Sequence, residues 1–152
     1  PSADESHVGM SSFASTASLN QHLTDDGTAV KTSIDALVAG GFTNLKGGID
    51  LATGELDDLH EHERPPIKDV MVIITDGAPN RPLPSDTADD AAAASADDAR
   101  TVGIEIFVVG VGVSPATELY LKTDIADDAS HYFSAADFAD LETVLEDLVT
   151  CP

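Results

Sequence analysis

Basic residues are scarce. Seven Lys and Arg stand against 28 Asp and Glu in 152 residues, a formal charge of -21. A surface of that sign repels nucleic acid and anionic membranes, so neither is expected as a partner. Long apolar runs are absent: none is long enough to span a bilayer, and no secretory leader stands at the start. The chain opens on Pro1 without a methionine, which reads as a processed or excised piece. Cysteine is down to one, Cys151, next to the last residue. It follows the final helical pattern, where little core remains to bury it. A disulfide to a cysteine outside this chain and a free thiol both stay open. Walker loop, G-x-G-x-x-G and G-x-S-x-G motifs are missing as well. The acidity fits a salty medium, a cation-rich extracellular one or plain solubility. It does not mean disorder, because apolar periodicity persists along most of the chain.

The length suits a single domain with its own core, spanning 1–152. His7–Phe13 alternates and reads as a strand, and Ala14–Leu23 as a turn with a short polar edge strand. Asp25-Asp26-Gly27 starts a helix carrying Val30, Ile34, Leu37 and Val38 on one face, stopped by Gly40-Gly41. A second helix follows Thr43, with Leu45, Ile49, Ala52, Leu56 and Leu59 at amphipathic spacing. Val70–Thr75 is expected to be a fully buried strand. After it comes the long turn "DGAPNRPLPSD", then a helix over Asp86–Arg100 whose inner face is alanine: Ala88, Ala91, Ala92 and Ala99. Ile104–Val109 reads as another apolar strand, Ser114-Pro115 as the cap and first turn of a short helix, and His131–Phe133 as a short strand. The last helix presents Phe138, Leu141, Leu145 and Leu148. The order β-β-α-α-β-α-β-α-β-α predicts a doubly wound, mostly parallel, Rossmann-like sheet with helices on both faces.

In such sheets function sits at the carboxyl ends of the strands. Asp76, in "VIITDGAPN", stands at one. Thr43, in "GGFTNLKGGID", stands one helix earlier, and a parallel sheet would bring both to the same edge. Each also has a plain structural explanation. Asp-Gly is common turn chemistry, and Thr43 can cap the helix beginning at Asn44.

The segments "SHVGMSSFASTASLNQHLTDD", "GGFTNLKGGIDLA", "VMVIITDGAPN" and "GIEIFVVGVG" follow one another as in a von Willebrand factor type A domain, which the chain resembles over essentially its whole length. The resemblance implies a metal-ion-dependent adhesion site at the top of the sheet. In it a D-x-S-x-S segment, a threonine and an aspartate supply oxygen ligands; Thr43 matches the threonine and Asp76 the aspartate. A hard divalent cation suits such a set, Mg²⁺ foremost, with Mn²⁺ and Ca²⁺ as alternatives. The open coordination position would take a ligand's carboxylate. The resemblance also implies a bridge from Cys151 to a cysteine ahead of the first strand, in an oxidising, extracellular or cell-surface setting.

The D-x-S-x-S pattern occurs nowhere in these residues, and "MSSFAST" belongs to the second strand of the family's fold. The family's first strand and helix, roughly 35 residues on the scale of a βα unit, would precede Pro1. That strand is central, flanked by the counterparts of His7–Phe13 and Val70–Thr75. Leaving both edges buried and unpaired would cost about 1–3 kcal/mol per group, against a total stability of about 5–15 kcal/mol. The expectation is therefore a strand supplied from elsewhere, by an upstream segment of the same precursor or by a partner chain.

Other clusters carry less. His60, Glu61 and His62 ("HEHER") lack the spacing of a zinc site and read as a solvated loop. Asp124, Asp127 and Asp128 read as an exposed acidic turn, with calcium binding as the alternative. The expected role is a protein-binding or adhesion module, with a structural building block of an extracellular filament or matrix as the alternative. An enzyme is not expected: the aspartate pair of phosphatase-like strand ends is broken by Ile74.

Overall fold

A computed structural model of the protein describes residues 7–57, 68–82, 84 and 87–150, apart from the side chains of 147–150. Leu59, the His60–His62 cluster and Cys151 lie outside them. Strands form where β-branched and apolar residues alternate: β1 (Val8–Phe13), β2 (Ala17–Thr24), β3 (Val70–Thr75), β4 (Glu105–Val111) and β5 (Tyr132–Ala135). Helices α1 (Gly27–Asp35), α2 (Leu45–Glu55), α3 (Ala88–Thr101), α4 (Pro115–Tyr120) and α5 (Leu141–Thr150) alternate with them in the expected order. Capping follows sequence chemistry. Asp26 accepts from the amides of Thr28 and Ala29, and Ser114 from that of Thr117 with Pro115 behind it.

The strands form two separate hydrogen-bonded sheets. β1 and β2 make an antiparallel pair, and β3-β4-β5 a parallel sheet. In the parallel sheet Ile73 lies beside Val108 and Ile74 beside Val109. Val109 in turn lies beside Phe133. One face carries Met71, Ile73, Ile106 and Val108, buried with Leu45, Ile49 and the alanines Ala92, Ala96 and Ala99. The small alanine faces let α3 lie close to its sheet. On the other face Val109, Val111 and Ala135 are covered by Leu141, Val144 and Leu145 of α5.

Four expectations are corrected here. β3 is not buried throughout: it alternates, with Met71, Ile73 and Thr75 inside while Val70, Val72 and Ile74 are 43%, 41% and 38% exposed. The reason is coverage, since the residues packed on that face lie over β4 and β5. α1 ends at Asp35, so Leu37 and Val38 fall beyond it, and none of its residues is buried. Phe138 precedes α5 and is exposed, and in α3 Ser95 and Ala96 join the buried face while Ala91 is only half-buried.

α2 joins the two sheets. Leu45 and Ile49 enter the core of the parallel sheet, and Phe13 of β1 packs against the same cluster. Asn44 donates its amide to Ala14 O at 2.9 Å, and Ser11 Oγ donates to Gly48 O at 3.1 Å. At the far end Glu55, 4% exposed, accepts from the amide of Leu23 at 2.8 Å and pairs with His22 at 3.0 Å. Gly48 makes the approach possible: a Cβ there would stand 2.6 Å from Phe13 Cδ1. Gly54, in the same helix, has open space around it. Gly48→Ala is therefore expected to destabilise the protein by about 1–2 kcal/mol, steric strain outweighing the better helix propensity. Gly54→Ala is expected to stabilise it by about 0.5–1 kcal/mol. Urea unfolding midpoints of the two variants check the contrast.

Candidate functional site

Thr43 and Asp76 sit in two loops that the structure stitches together. Thr43 precedes α2, whose cap is Asn44: its side chain accepts from the amide of Gly47 at 3.2 Å. Thr43 is thus relieved of capping, and its hydroxyl makes no hydrogen bond to the described residues. Asp76 follows the carboxyl end of β3 and is exposed, its carboxylate likewise without a partner among the described residues. Thr75, just before it, is buried and turns the chain by donating its hydroxyl to Gly77 O at 3.0 Å.

The link between the loops is Asn80. Its amide donates to Thr43 O at 3.0 Å, and its side-chain Oδ1 accepts from the Thr43 amide at 2.8 Å. Arg81 then lies over the Phe42 ring at 3.5 Å, a cation–π contact that closes the same seam. The two oxygen-bearing side chains are therefore held on neighbouring loops at the carboxyl edge of the sheet. Neither Asn80 nor the Phe42–Arg81 pair stood out in the sequence; an Asn four residues past the aspartate looks like ordinary turn chemistry.

The family model for the von Willebrand factor type A domain matches residues 2–147. The chain belongs to that family. No curated protein sequence matches it. Among solved structures it is similar to proximal thread matrix protein 1 from the mussel byssus (TM-score 0.77, 18% identity, covering 94% of this chain and 36% of that one). Another structure of that protein has a zinc-occupied MIDAS motif. The vWF domain of the type V pilus tip protein Mfa5 from Porphyromonas gingivalis gives a TM-score of 0.80 at 13% identity, over 93% of this chain and 78% of that one. The pilus adhesin SpaC from Lactobacillus rhamnosus GG gives 0.75 at 14% identity, over 93% and 24%. The chain thus spans well under half of the byssus protein and of SpaC. At these identities the likeness establishes the fold.

The type A domain carries a second polar cluster at the opposite edge, where β4 begins. Glu105 Oε1 meets His131 Nε2 at 3.0 Å, and Glu105 Oε2 meets Lys68 at 2.8 Å. His131 Nδ1 faces Asp128 at 2.9 Å, and Asp128 is itself held by the amide and hydroxyl of Ser130. Asp127 accepts from Arg100 Nε at 3.0 Å. Arg100 also donates to the carbonyls of Ile125 and Ala126, closing the turn after α4. The turn carrying Asp124, Asp127 and Asp128 is exposed, as expected, and Asp127 and Asp128 also belong to an acid–histidine–base network. The signal in the sequence was Glu105, a single charge inside "GIEIFVV".

Asp128 and then Glu105, both hydrogen-bonded to the ring, raise the His131 pKa above its ordinary value. Lys68 and then His131 lower that of Glu105, and Ser130 and then His131 that of Asp128. The imidazole's stabilisation is therefore complete below about pH 6.5 and is lost as pH rises through its raised folded value. The carboxylates' share is present above about pH 4.5 and is lost as pH falls through their lowered values. In metal-free buffer the urea midpoint is expected to fall on the alkaline side, and His131→Asn to flatten that fall. At the other edge, Asn80→Ala strands a half-buried amide and is expected to cost about 1–2 kcal/mol, with faster hydrogen exchange at the Thr43 amide.

Proposed function

We propose that this type A domain is a protein-binding module of an extracellular or surface protein, of adhesion or matrix type, which grips a ligand carboxylate through a divalent cation at the carboxyl edge of its sheet. The observation that carries this reading is the pair of stitched loops presenting a Thr43 hydroxyl and an Asp76 carboxylate, neither engaged by the described residues. Both are hard oxygen donors of the kind Mg²⁺ or Mn²⁺ takes. They fit the cation in chemistry but not in number, since octahedral coordination needs further oxygens. When bound, the cation would supply an electrophilic site for an outside acid. Thr43 and Asp76 would hold it, and Asn80 would keep their loops in register. The role is binding, not catalysis. Its similarity to a pilus tip protein, a pilus adhesin and a byssus matrix protein supports this setting. No helix among the described residues is long and apolar enough to cross a membrane.

The missing ligands have a natural place to arrive. β1 and β3 each pair on one side only among the described residues, and the outer face of β3 shows Val70, Val72 and Ile74 to solvent. One further strand, with an apolar element over it, would join the two sheets and bring additional oxygens beside Thr43 and Asp76. An upstream segment of the same precursor or a partner chain would supply it. Similarity to a thread matrix protein also supports a second reading, a structural building block of an extracellular filament or matrix; in this reading, metal-dependent ligand binding is not its role.

Mn²⁺ binding followed by electron paramagnetic resonance tests the first reading. Asp76→Ala is expected to weaken Mn²⁺ by more than about tenfold. Equal Mn²⁺ affinity in the two proteins would overturn it and leave the scaffold reading.

A further inference from the structure

We propose that Glu105, Asp127 and His131 form a binding site for a first-row divalent transition-metal ion of the zinc type, at the edge of the sheet opposite Asp76. One ligand atom from each residue lies within 4.8 Å of the others. Tetrahedral ligation at about 2.0–2.2 Å sets ligand atoms about 3.3–3.6 Å apart, so side-chain movements of about an ångström close the set. The three residues come from separate places: the start of β4, the loop after α4 and the end of the turn leading into β5. Asp127 is fixed there by its own amide, which donates to Ile106 O at 3.1 Å.

The arrangement around the three donors is that of a supported metal site. Asp128 sits on the Nδ1 side of His131 at 2.9 Å. Donation of Nδ1–H to it leaves the Nε2 lone pair directed at Glu105. This is the carboxylate–histidine–metal relation that sets tautomer and ring orientation at many metal centres. Phe107 packs against the ring at 4.4 Å and limits its swing. The carboxylates divide their oxygens. Glu105 gives Oε2 to Lys68 and turns Oε1 toward the imidazole. Asp127 gives Oδ1 to Arg100, and its Oδ2 has no partner among the described residues. With a neutral imidazole, three carboxylates outweigh Lys68 and Arg100 by one charge. An imidazole nitrogen beside two carboxylates favours zinc and its neighbours over Mg²⁺ or Ca²⁺, which prefer oxygen alone. The competing account is an ion-pair network with a protonated His131 bridging two acids. That account calls for no metal.

The two edges of the sheet are about 20 Å apart along a six-residue strand, so their sites separate by mutation. The test uses the full chain carrying Asp76→Ala, His60→Ala and His62→Ala, which removes the other edge and the second histidine cluster. Zinc is titrated by calorimetry, and the remaining imidazoles are followed by ¹⁵N NMR. The expected result is one bound equivalent, with the His131 Nε2 resonance displaced. Adding Glu105→Gln or His131→Asn is expected to abolish binding, and Asp128→Asn to weaken it about 10–100-fold. Should either ligand variant fail to fold, the imidazole spectrum of the parent protein decides. Absence of zinc binding, zinc binding that leaves His131 Nε2 unmoved, or unchanged affinity in folded Glu105→Gln and His131→Asn would each overturn the site in favour of the ion-pair network.

Discussion

The protein depends on one helix. Two sheets share no hydrogen bond among the described residues, and α2 is the element that belongs to both. It can do so because its faces are chemically different. Leu45 and Ile49 fill the core of the parallel sheet. The backbone at Gly48 admits Phe13, and Glu55 anchors β2 through a main-chain amide and His22. A two-stranded ribbon is marginal on its own, so β1 and β2 owe their order to that helix. The same helix starts at the loop that presents Thr43, which couples that edge of the sheet to the packing of the whole domain.

Most of the architecture was legible in the sequence because its signals were local. Caps at Asp26 and Ser114, the 3–4 spacing of α2 and the alanine face of α3 each act within one element. What failed was coverage, which is a property of neighbours. "VMVIIT" reads as wholly buried, yet only alternate residues are, because a strand's composition does not say how many of its faces are packed. Leu37 and Val38 misled in the same way: their spacing continues the pattern of α1 beyond the point where the helix has anything to pack against.

The candidate site residues divide along the same line. Thr43 and Asp76 stood out because they belong to segments with a recognisable order, and the structure holds their loops side by side. Asn80, which holds them, was invisible, since a reciprocal pair of bonds across 37 residues leaves no periodicity. At the other edge, the Asp127-Asp128 turn looked like surface acid. Its meaning changed only when folding placed Glu105, His131, Lys68 and Arg100 around it.

The bare apolar row of β3 gives the acidic composition a purpose that no single residue reveals. Among the described residues its outer edge pairs with no strand, and such an edge with valine and isoleucine showing is a template for self-association. Twenty-one net negative charges keep identical copies apart while that edge is open. Electrolyte shortens the reach of this repulsion, to about 3 Å at molar ionic strength. The distance over which like-charged copies feel one another is thus set by how much salt surrounds them.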